Sequence, residues 1–261
     1  MKHISSRDNK LFKELKDLAS QAATRKKLGK SILDGVHLCQ AFLERCGAPE
    51  ILVVAESALQ IEEVKRICLA AEKRGAQAIS FPDALFQNLS QVENGVGLAF
   101  VVPTPKPVWS GALTANAVVL DGVQDPGNLG SILRSAAGAG IQTIFCGVGT
   151  ASAWSPKVLR AGMGAHFLLT IFEAVDLPGL LAATNIPILA TSSHTQTTIY
   201  QVDLRQAHVW LFGHEGQGVS PELMALASQQ VTIPQNPALE SLNVAASAAI
   251  CFFEQVRQNL D

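Results

Sequence analysis

Two polar, glycine- or proline-bearing loops near the end of the chain contain the side chains best suited to chemistry. The first lies in HVWLFGHEGQGVS at 208–220, where Gly213, Gly216 and Gly218 flank a single acid, Glu215. Glycine permits positive φ and close approach of the backbone, so this loop can surround a small ligand with main-chain groups. A short apolar run that breaks into such a loop is typical of a ligand site at the carboxyl end of a sheet.

The second loop lies in VTIPQNPALESLNVAASAAICFFE at 231–254, and Ser241 and Asn243 stand there at the mouth of a nearly all-apolar helix. These two residues either cap the helix or present polar side chains to a ligand. Taken singly, each polar residue has an ordinary structural explanation. Ser241 then serves as an N-cap, and Glu215 is a solvated loop acid.

A third polar stretch, DGVQDPGNLGSILRSAAGAG at 121–140, follows a predicted strand at 117–120. Pro126 and Gly127 predict a turn, and Asn128 stands where we expect a helix cap. Arg134 lies six residues further on, in the second turn of a helix whose other residues are apolar or small. Its guanidinium is either directed at an anionic group or is an ordinary exposed helix arginine.

Two other kinds of site are not favoured. The five cysteines have no CxxC spacing and the six histidines no paired metal spacing, so we expect buried thiols in a reducing cytosol and no metal. Gly147 and Gly149 follow a strand as a dinucleotide fingerprint would, but Ser152 occupies the place of the third glycine. A lone Gly-x-Gly is weak evidence, and we reject a nicotinamide site.

Composition predicts a globular protein with a sizeable core. The chain has 261 residues, of which 48% are hydrophobic and 16% charged, and this length favours two domains. No stretch approaches the roughly 20 apolar residues that span a bilayer, and the first ten residues lack an apolar signal region. We therefore expect a cytoplasmic protein without a membrane association.

The charge distribution is uneven, although the net charge is only −2. Residues 1–30 contain nine of the twenty Lys and Arg against three acids, a net charge of +6, and the remainder carries −8. This basic end is either a phosphate-contacting arm or a solvated helix face, and the sequence does not favour one over the other.

The order of predicted elements indicates two α/β domains. Residues 1–103 alternate helices, beginning with 9–20, and strands at 50–55, 78–81 and 97–102; residues 25–30 form a polar connection. Three prolines at alternate positions predict a stiff, extended linker over 104–115. In residues 116–261, strands at 117–120, 141–146, 167–171, 186–191, 209–212 and 231–233 alternate with helices, which predicts a mostly parallel sheet.

The three polar stretches resemble the three motifs of the SpoU (TrmH-type) RNA ribose methyltransferases of the SPOUT superfamily. They are DPGNLGSILRSA at 125–136, LFGHEGQGVS at 211–220, and IP at 233–234 followed by SLNVA at 241–245. The resemblance covers 116–258 and implies an α/β fold with a C-terminal deep trefoil knot, a feature that composition and periodicity do not suggest. The first domain resembles, more loosely, the L30e-like substrate-binding domain that often precedes this catalytic domain.

The resemblance also implies S-adenosylmethionine as cofactor, a homodimer, and an RNA substrate. The cofactor positions of the family correspond, largely through backbone groups, to Thr191, Gly213, Gly218, Ile233 and Leu242. The polar active-site positions correspond to Asn128, Arg134, Glu215, Ser241 and Asn243.

The predicted reaction suits these residue types. A sulfonium methyl is already a strong electrophile, so no metal is needed, whereas the ribose 2′-hydroxyl must be oriented and must lose a proton. The family is often given an arginine general base, but a guanidinium stays protonated in proteins. We therefore expect Arg134 to hold the target phosphate and the developing oxyanion. We expect Asn128 to orient Arg134 or the ribose, and Glu215 to hold Arg134 or Asn243.

Two departures from the family pattern lie beside the predicted cofactor site. His214 stands where the family usually has Asn or Ser, and residues 235–238 (QNPA) replace a loop that usually bears Met and Gly. Neither departure removes one of the five polar positions. Both bear on cofactor affinity or substrate preference.

Three function classes follow from the sequence. The first is an S-adenosylmethionine-dependent RNA 2′-O-methyltransferase, which the intact polar positions favour. The others are a non-catalytic RNA-binding module of the same fold and a knotted methyltransferase that modifies a base. The fused first domain and its basic helix favour ribosomal RNA over transfer RNA as substrate, although the fold alone does not identify the RNA.

Overall fold

The computed structural model describes residues 1–90 and 95–260, which divide into two compact units. The first unit contains residues 1–105 together with 154–167, and the second contains residues 106–153 and 168–260. Residues 154–167 therefore pack with the first unit although they follow a strand of the second unit in sequence.

The strands are β1 (Lys2–His3), β2 (Lys30–Asp34), β3 (Ile51–Ala55), β4 (Gln77–Phe81), β5 (Leu98–Pro103), β6 (Ala117–Leu120), β7 (Thr143–Gly147), β8 (Thr170–Val175), β9 (Ile188–Thr191), β10 (Val209–Phe212) and β11 (Gln229–Val231). The helices are α1 (Lys10–Ser20), α2 (Ala22–Leu28), α3 (Val36–Arg45), α4 (Glu62–Lys73), α5 (Asp83–Gln87), α6 (Pro126–Gly138), α7 (Pro156–Gly162), α8 (Leu177–Ala182), α9 (Pro221–Met224) and α10 (Val244–Gln258).

The first unit is built on a mixed sheet in the order β1-β4-β3-β5-β2. Strand β3 is buried along its whole length, pairs parallel to β4 and antiparallel to β5, and so forms the centre of the core. The predicted helix at 9–20 is confirmed: Asn9 Oδ1 accepts hydrogen bonds from the backbone N–H groups of Leu11 and Phe12 and caps α1.

One prediction for the basic segment was wrong. Residues 25–30 were expected to form a polar connection, but residues 25–28 belong to a second helix, α2, which Gly29 caps with a left-handed φ of 63°. Arg25 ties α2 to α1, because its guanidinium donates to the carbonyl oxygens of Leu18 and Ala19 at the end of α1. The sequence pattern hid the helix because none of its residues is buried.

The second unit is a six-stranded, wholly parallel sheet in the order β11-β9-β10-β6-β7-β8, which confirms the predicted architecture. Register pairs Phe212 with Leu120 and Thr191 with Val231, so the carboxyl ends of four neighbouring strands stand side by side. The chain from β6 builds β7 and β8 on one side and returns through β9 and β10 on the other. Such a reversal of strand order creates a crevice at the carboxyl edge.

Several predicted boundaries in this unit were displaced. Helix α6 is capped by Asp125, whose carboxylate accepts from the backbone N–H of Asn128, rather than by Asn128 itself. Pro126 therefore occupies the first helical position, which suits its fixed φ. Strand β8 begins at Thr170 because residues 165–168 form a 3-10 turn, and β11 lies at Gln229–Val231 instead of 231–233.

The last helix, α10, is fastened to the middle of this sheet. The indole Nε1 of Trp210 on β10 donates to Gln255 Oε1 at 2.8 Å, and both side chains are buried. Phe252 packs edge-on against Phe212 with ring centroids 5.6 Å apart. The same helix packs on α6, so α10 holds the chain that precedes it close to the carboxyl ends of the strands.

The proline-rich segment is attached to the second unit by an aromatic contact. Trp109 meets Phe145 and Phe172 edge-on, at centroid separations of 5.0 and 5.6 Å, whereas its neighbour Val108 is 87% exposed. Edge-to-face aromatic pairs add to the free energy gained from burial. The predicted extended linker therefore carries a fixed anchor.

The cysteines are free thiols, and four of them are buried as expected. Cys46 is exposed, so the prediction of a buried thiol was wrong at this position. Burial raises the pKa of Cys68 to about 12.

Among the described residues, none of the helices has the length and apolar character needed to cross a bilayer.

Replacing Trp109 with Ala should destabilise the second unit by about 2–4 kcal/mol, because truncating a packed aromatic removes both transferred area and contacts. Replacing its exposed neighbour Val108 with Ala should change stability by less than about 0.5 kcal/mol. Chemical denaturation of both variants measures the difference. Equal stabilities would show that the aromatic contact does not anchor the segment.

Candidate functional site

The carboxyl edge of the parallel sheet gathers three loops and the start of α10 around one cavity. The cavity has a volume of about 600 Å³. The loops follow β9, β10 and β11, and α10 contributes Val244 and Ser247. All five predicted cofactor positions line it: Thr191, Gly213, Gly218, Ile233 and Leu242. The structure therefore brings together predicted positions that lie up to 51 residues apart in the chain, Thr191 and Leu242.

The loop after β10 is a tight turn closed by its own backbone. His214 N–H donates to Gly218 O at 3.0 Å and Gly218 N–H donates to His214 O at 2.8 Å, while Gly218 adopts a φ of 70°. A Cβ built on Gly213 would overlap the carbonyl group of Gly218 and the nitrogen of Val219. Only glycine fits at 213, because main chain fills the space that a side chain would need.

Glu215 points from this turn towards the start of α6. Its Oε1 accepts from Asn128 Nδ2 at 3.0 Å and from Asp125 N at 3.1 Å, and its Oε2 accepts from Gln124 N at 3.2 Å. Partial burial raises the pKa of Glu215, but the hydrogen bonds from Asn128 and from the backbone outweigh burial and lower it. The carboxylate is therefore held in its charged form, and that preference is lost only as the pH falls through its lowered pKa.

Asn128 also contacts the third segment of the site. Its Oδ1 accepts from Asn243 Nδ2 at 2.9 Å. Asn243 in turn caps α10, since its Oδ1 accepts from the N–H groups of Ala245 and Ala246. Three of the predicted polar positions are thus joined in a row, in the order Glu215, Asn128, Asn243.

The other two predicted polar positions are placed differently. Ser241 is exposed and lines the cavity. Arg134 is exposed on α6 and does not line the cavity, and its guanidinium makes no hydrogen bond or ion pair with any residue in the described part of the chain. Among the described residues, Glu215 makes no direct hydrogen bond with Arg134 or Asn243, contrary to the expectation that it holds one of them; Asn128 bridges Glu215 and Asn243.

Comparison with known proteins identifies the family. A model of the SpoU rRNA Methylase family matches residues 115–253, more than half of the chain. The chain belongs to the SpoU rRNA methylase family. Four predictions are thereby confirmed: the family, the α/β SPOUT fold, a methyltransferase activity, and S-adenosylmethionine as the cofactor.

Individual relatives match nearly the whole chain. An uncharacterized tRNA/rRNA methyltransferase of Synechocystis is 32% identical over 98% of this chain and 93% of its own length. The 23S rRNA (guanosine(2553)-2'-O)-methyltransferase RlmP of Bacillus subtilis is 28% identical over 97% and 98%. The crystal structure of an AdoMet-bound rRNA methyltransferase from Sinorhizobium meliloti superposes with a TM-score of 0.85 at 25% identity, covering 100% of this chain and 98% of that one.

Sequence reasoning missed three residues of this SpoU site. Asp125 caps α6 and its backbone N–H binds Glu215; its position directly before a proline was a signal for a cap. Glu240 and His194 both line the cavity. No local pattern distinguishes these two from ordinary loop residues, since only the folded sheet edge brings them to the cavity.

Replacing Gly213 with Ala should abolish measurable S-adenosylmethionine binding, because the new methyl group forces apart the backbone that closes the turn. The matched control is Gly216→Ala, where the nearest atoms to an added Cβ belong to the His214 ring at 3.7 Å. Isothermal titration calorimetry should give this control an affinity within about threefold of the wild type, a difference below 1 kcal/mol. Unchanged binding by Gly213→Ala would contradict the site.

Proposed function

We propose that this protein transfers the methyl group of S-adenosylmethionine to a ribose 2′-hydroxyl of ribosomal RNA. The observation that carries the proposal is the charge and composition of the cavity. It is lined by two carboxylates, Glu215 and Glu240, and by no Lys or Arg among the described residues. A cationic ligand such as a sulfonium compound suits that lining, whereas a polyphosphate cofactor does not.

The residues present fit this cofactor. Gly213 and Gly218 offer main-chain groups in a turn that leaves no side chain in the way, and Ile233 and Leu242 supply apolar contacts for a flat ring. The carboxylate of Glu215 supplies negative charge on the side nearest Asn128. When bound, S-adenosylmethionine supplies an electrophilic methyl group.

The chain's own residues must orient the sugar oxygen and accommodate its negative charge. Asn128 and Asn243 hold each other at 2.9 Å beside the cavity mouth, so their positions are fixed before RNA arrives. Ser241 offers a hydroxyl at the same rim. Arg134, which stays protonated, stabilises the oxyanion and the neighbouring phosphate, and the proton leaves to phosphate or water.

Arg134 acts on the cavity of a second copy of the chain. Within one protomer its guanidinium is exposed, forms no hydrogen bond or ion pair with the described residues, and lies outside the cavity lining. It stands on α6, which packs on α10, and α10 also exposes half of the Phe253 ring. A two-fold interface through this helix pair would bury that ring and direct each arginine towards the partner's site.

The C-terminal segment is proposed to form the deep trefoil knot of the family. After β11 the chain runs beside the loop that joins β9 to β10: Thr232 N–H donates to Thr197 O, and Ile199 N–H donates to Thr232 O. At the far end of α10, Gln258 Nε2 donates to Val202 O of the same loop. These bonds place the segment 232–258 against that loop, which supports the proposed threading.

The first unit is proposed to bind the RNA as an L30e-like domain. Lys10, Lys13 and Lys16 stand exposed on α1, and α2 adds the exposed Lys26 and Lys27 in its last turn. Such a surface suits phosphates of a large structured RNA, which favours ribosomal over transfer RNA. The enzyme then works in the cytoplasm, where ribosomal RNA is available.

The direct test incubates the protein with methyl-labelled S-adenosylmethionine and either deproteinised ribosomal RNA or bulk transfer RNA. Label should enter ribosomal RNA, and nuclease digestion with mass spectrometry should locate it on a ribose. Label on a base, label only in transfer RNA, or binding of RNA without any transfer would each contradict the proposal.

Arg134→Ala should lower methyl transfer by about a hundredfold to a thousandfold, because an oxyanion donor is lost, and S-adenosylmethionine binding should survive. Gln142→Ala, at an exposed position beyond the same helix, is the control.

Mixing Arg134→Ala with the binding-deficient Gly213→Ala chain should restore activity, because in the mixed dimer the cavity that binds cofactor also receives an intact arginine from its partner. Failure of the mixture, with mixed dimers demonstrated, would place Arg134 in its own protomer's site.

A further inference from the structure

The imidazole of His214 fills the inside of the glycine turn and is part of its hydrogen bonding. Its Nδ1 lies 2.9 Å from the backbone N–H of Gly216 and 3.3 Å from that of Gln217. The side chain is half-buried and lines the cavity. Together with the backbone pair between His214 and Gly218, these contacts satisfy most of the polar groups of the turn.

The two contacts define the protonation state that the turn requires. A backbone N–H is only a donor, so Nδ1 must offer a lone pair, and the ring proton then resides on Nε2. An imidazolium carries hydrogen on both nitrogens and cannot accept either bond. Protonation of His214 therefore replaces two hydrogen bonds by two donor–donor contacts inside a tight turn.

We propose that His214 is a positioning residue whose neutral Nδ1 holds the glycine turn in the shape that binds cofactor and presents Glu215 to Asn128. Protonation of that nitrogen would consequently lower the affinity for the cofactor. This inference rests on the proposed function for its binding readout but on geometry alone for the turn itself.

Other ionisable groups lie in the turn and in the segments next to it, and their effects must be separated from that of His214. They are Glu215 in the same turn, His194 in the loop after β9, Glu240 in the loop after β11, Asp121 and Asp125 after β6, and Glu222 on α9. His194 is the other imidazole that lines the cavity, so it needs its own variant.

Asparagine is the conservative replacement for His214. Its Oδ1 is two bonds from Cβ, as Nδ1 of histidine is, and it accepts hydrogen bonds without titrating. His214→Asn should therefore keep the turn at all pH values, whereas His214→Ala loses both acceptor contacts. His194→Asn removes the other histidine of the cavity and leaves the Nδ1 contacts of His214 in place.

The turn itself is tested without cofactor by following backbone amide resonances between pH 8 and pH 5.5. In the wild type and in His194→Asn, the Gly216 and Gln217 amides should shift together with the His214 ring, whose Nδ1 should be the unprotonated nitrogen at pH 8. In His214→Asn these amides should not titrate in this range. Amide chemical shifts at Gly216 and Gln217 that do not follow the protonation of His214, or a proton on Nδ1 at pH 8, would overturn the proposal.

Cofactor affinity is tested by calorimetry with S-adenosylmethionine over the same range. Between pH 8 and pH 5.5, the affinity of the wild type and of His194→Asn for S-adenosylmethionine should fall by about fivefold or more beyond any fall seen in His214→Asn. At pH 8, His214→Ala should bind S-adenosylmethionine about fivefold to tenfold more weakly than the wild type does. An equal pH dependence in His214→Asn and wild type would overturn the inference. A wild type that binds no S-adenosylmethionine at pH 8 would instead refute the proposed function, and the amide titration would still decide the role of His214.

Discussion

The side-chain amide of Asn128 joins the segments on which the site depends. It donates to Glu215 at 3.0 Å and accepts from Asn243 at 2.9 Å, so it connects the start of α6, the glycine turn and the cap of α10. An amide is suited to this place because a carboxylate neighbour needs a donor while an amide neighbour needs an acceptor. An aspartate at 128 would set two negative charges at hydrogen-bonding distance, and an apolar residue would leave both neighbours without their partner.

The fold of the sheet brings Glu215, Asn128 and Asn243 together. Parallel pairing of β6, β9, β10 and β11 places four carboxyl ends along one edge, and the glycine turn leaves main chain at the cavity wall. Trp210 and Gln255 fasten α10 to the sheet, and α10 also packs on α6. Asn243 then serves twice, as the helix cap and as the contact of Asn128. Rigid elements rather than long side chains therefore position the polar groups.

Much of this arrangement could be predicted from local sequence, and the failures have physical reasons. The apolar runs of β6 and β10 were predicted with their observed bounds because buried parallel strands lack polar residues. Helix α2 escaped because it is exposed and has no apolar stripe. The cap of α6 was assigned to Asn128 instead of Asp125, since both residue types suit that role. Contacts between distant segments, such as those of Asn128 and Trp109, have no local pattern and emerge only from the folded sheet.

A double-mutant cycle on S-adenosylmethionine affinity tests the central role of Asn128 most directly. The dissociation constants of the wild type, Asn128→Ala, Glu215→Ala and the double variant would be measured under one condition. If the two residues act through their shared contact, the double variant should bind little worse than the weaker single variant, with a coupling free energy of about 1 kcal/mol or more. Independent effects that simply multiply would contradict the view that this amide holds the site together.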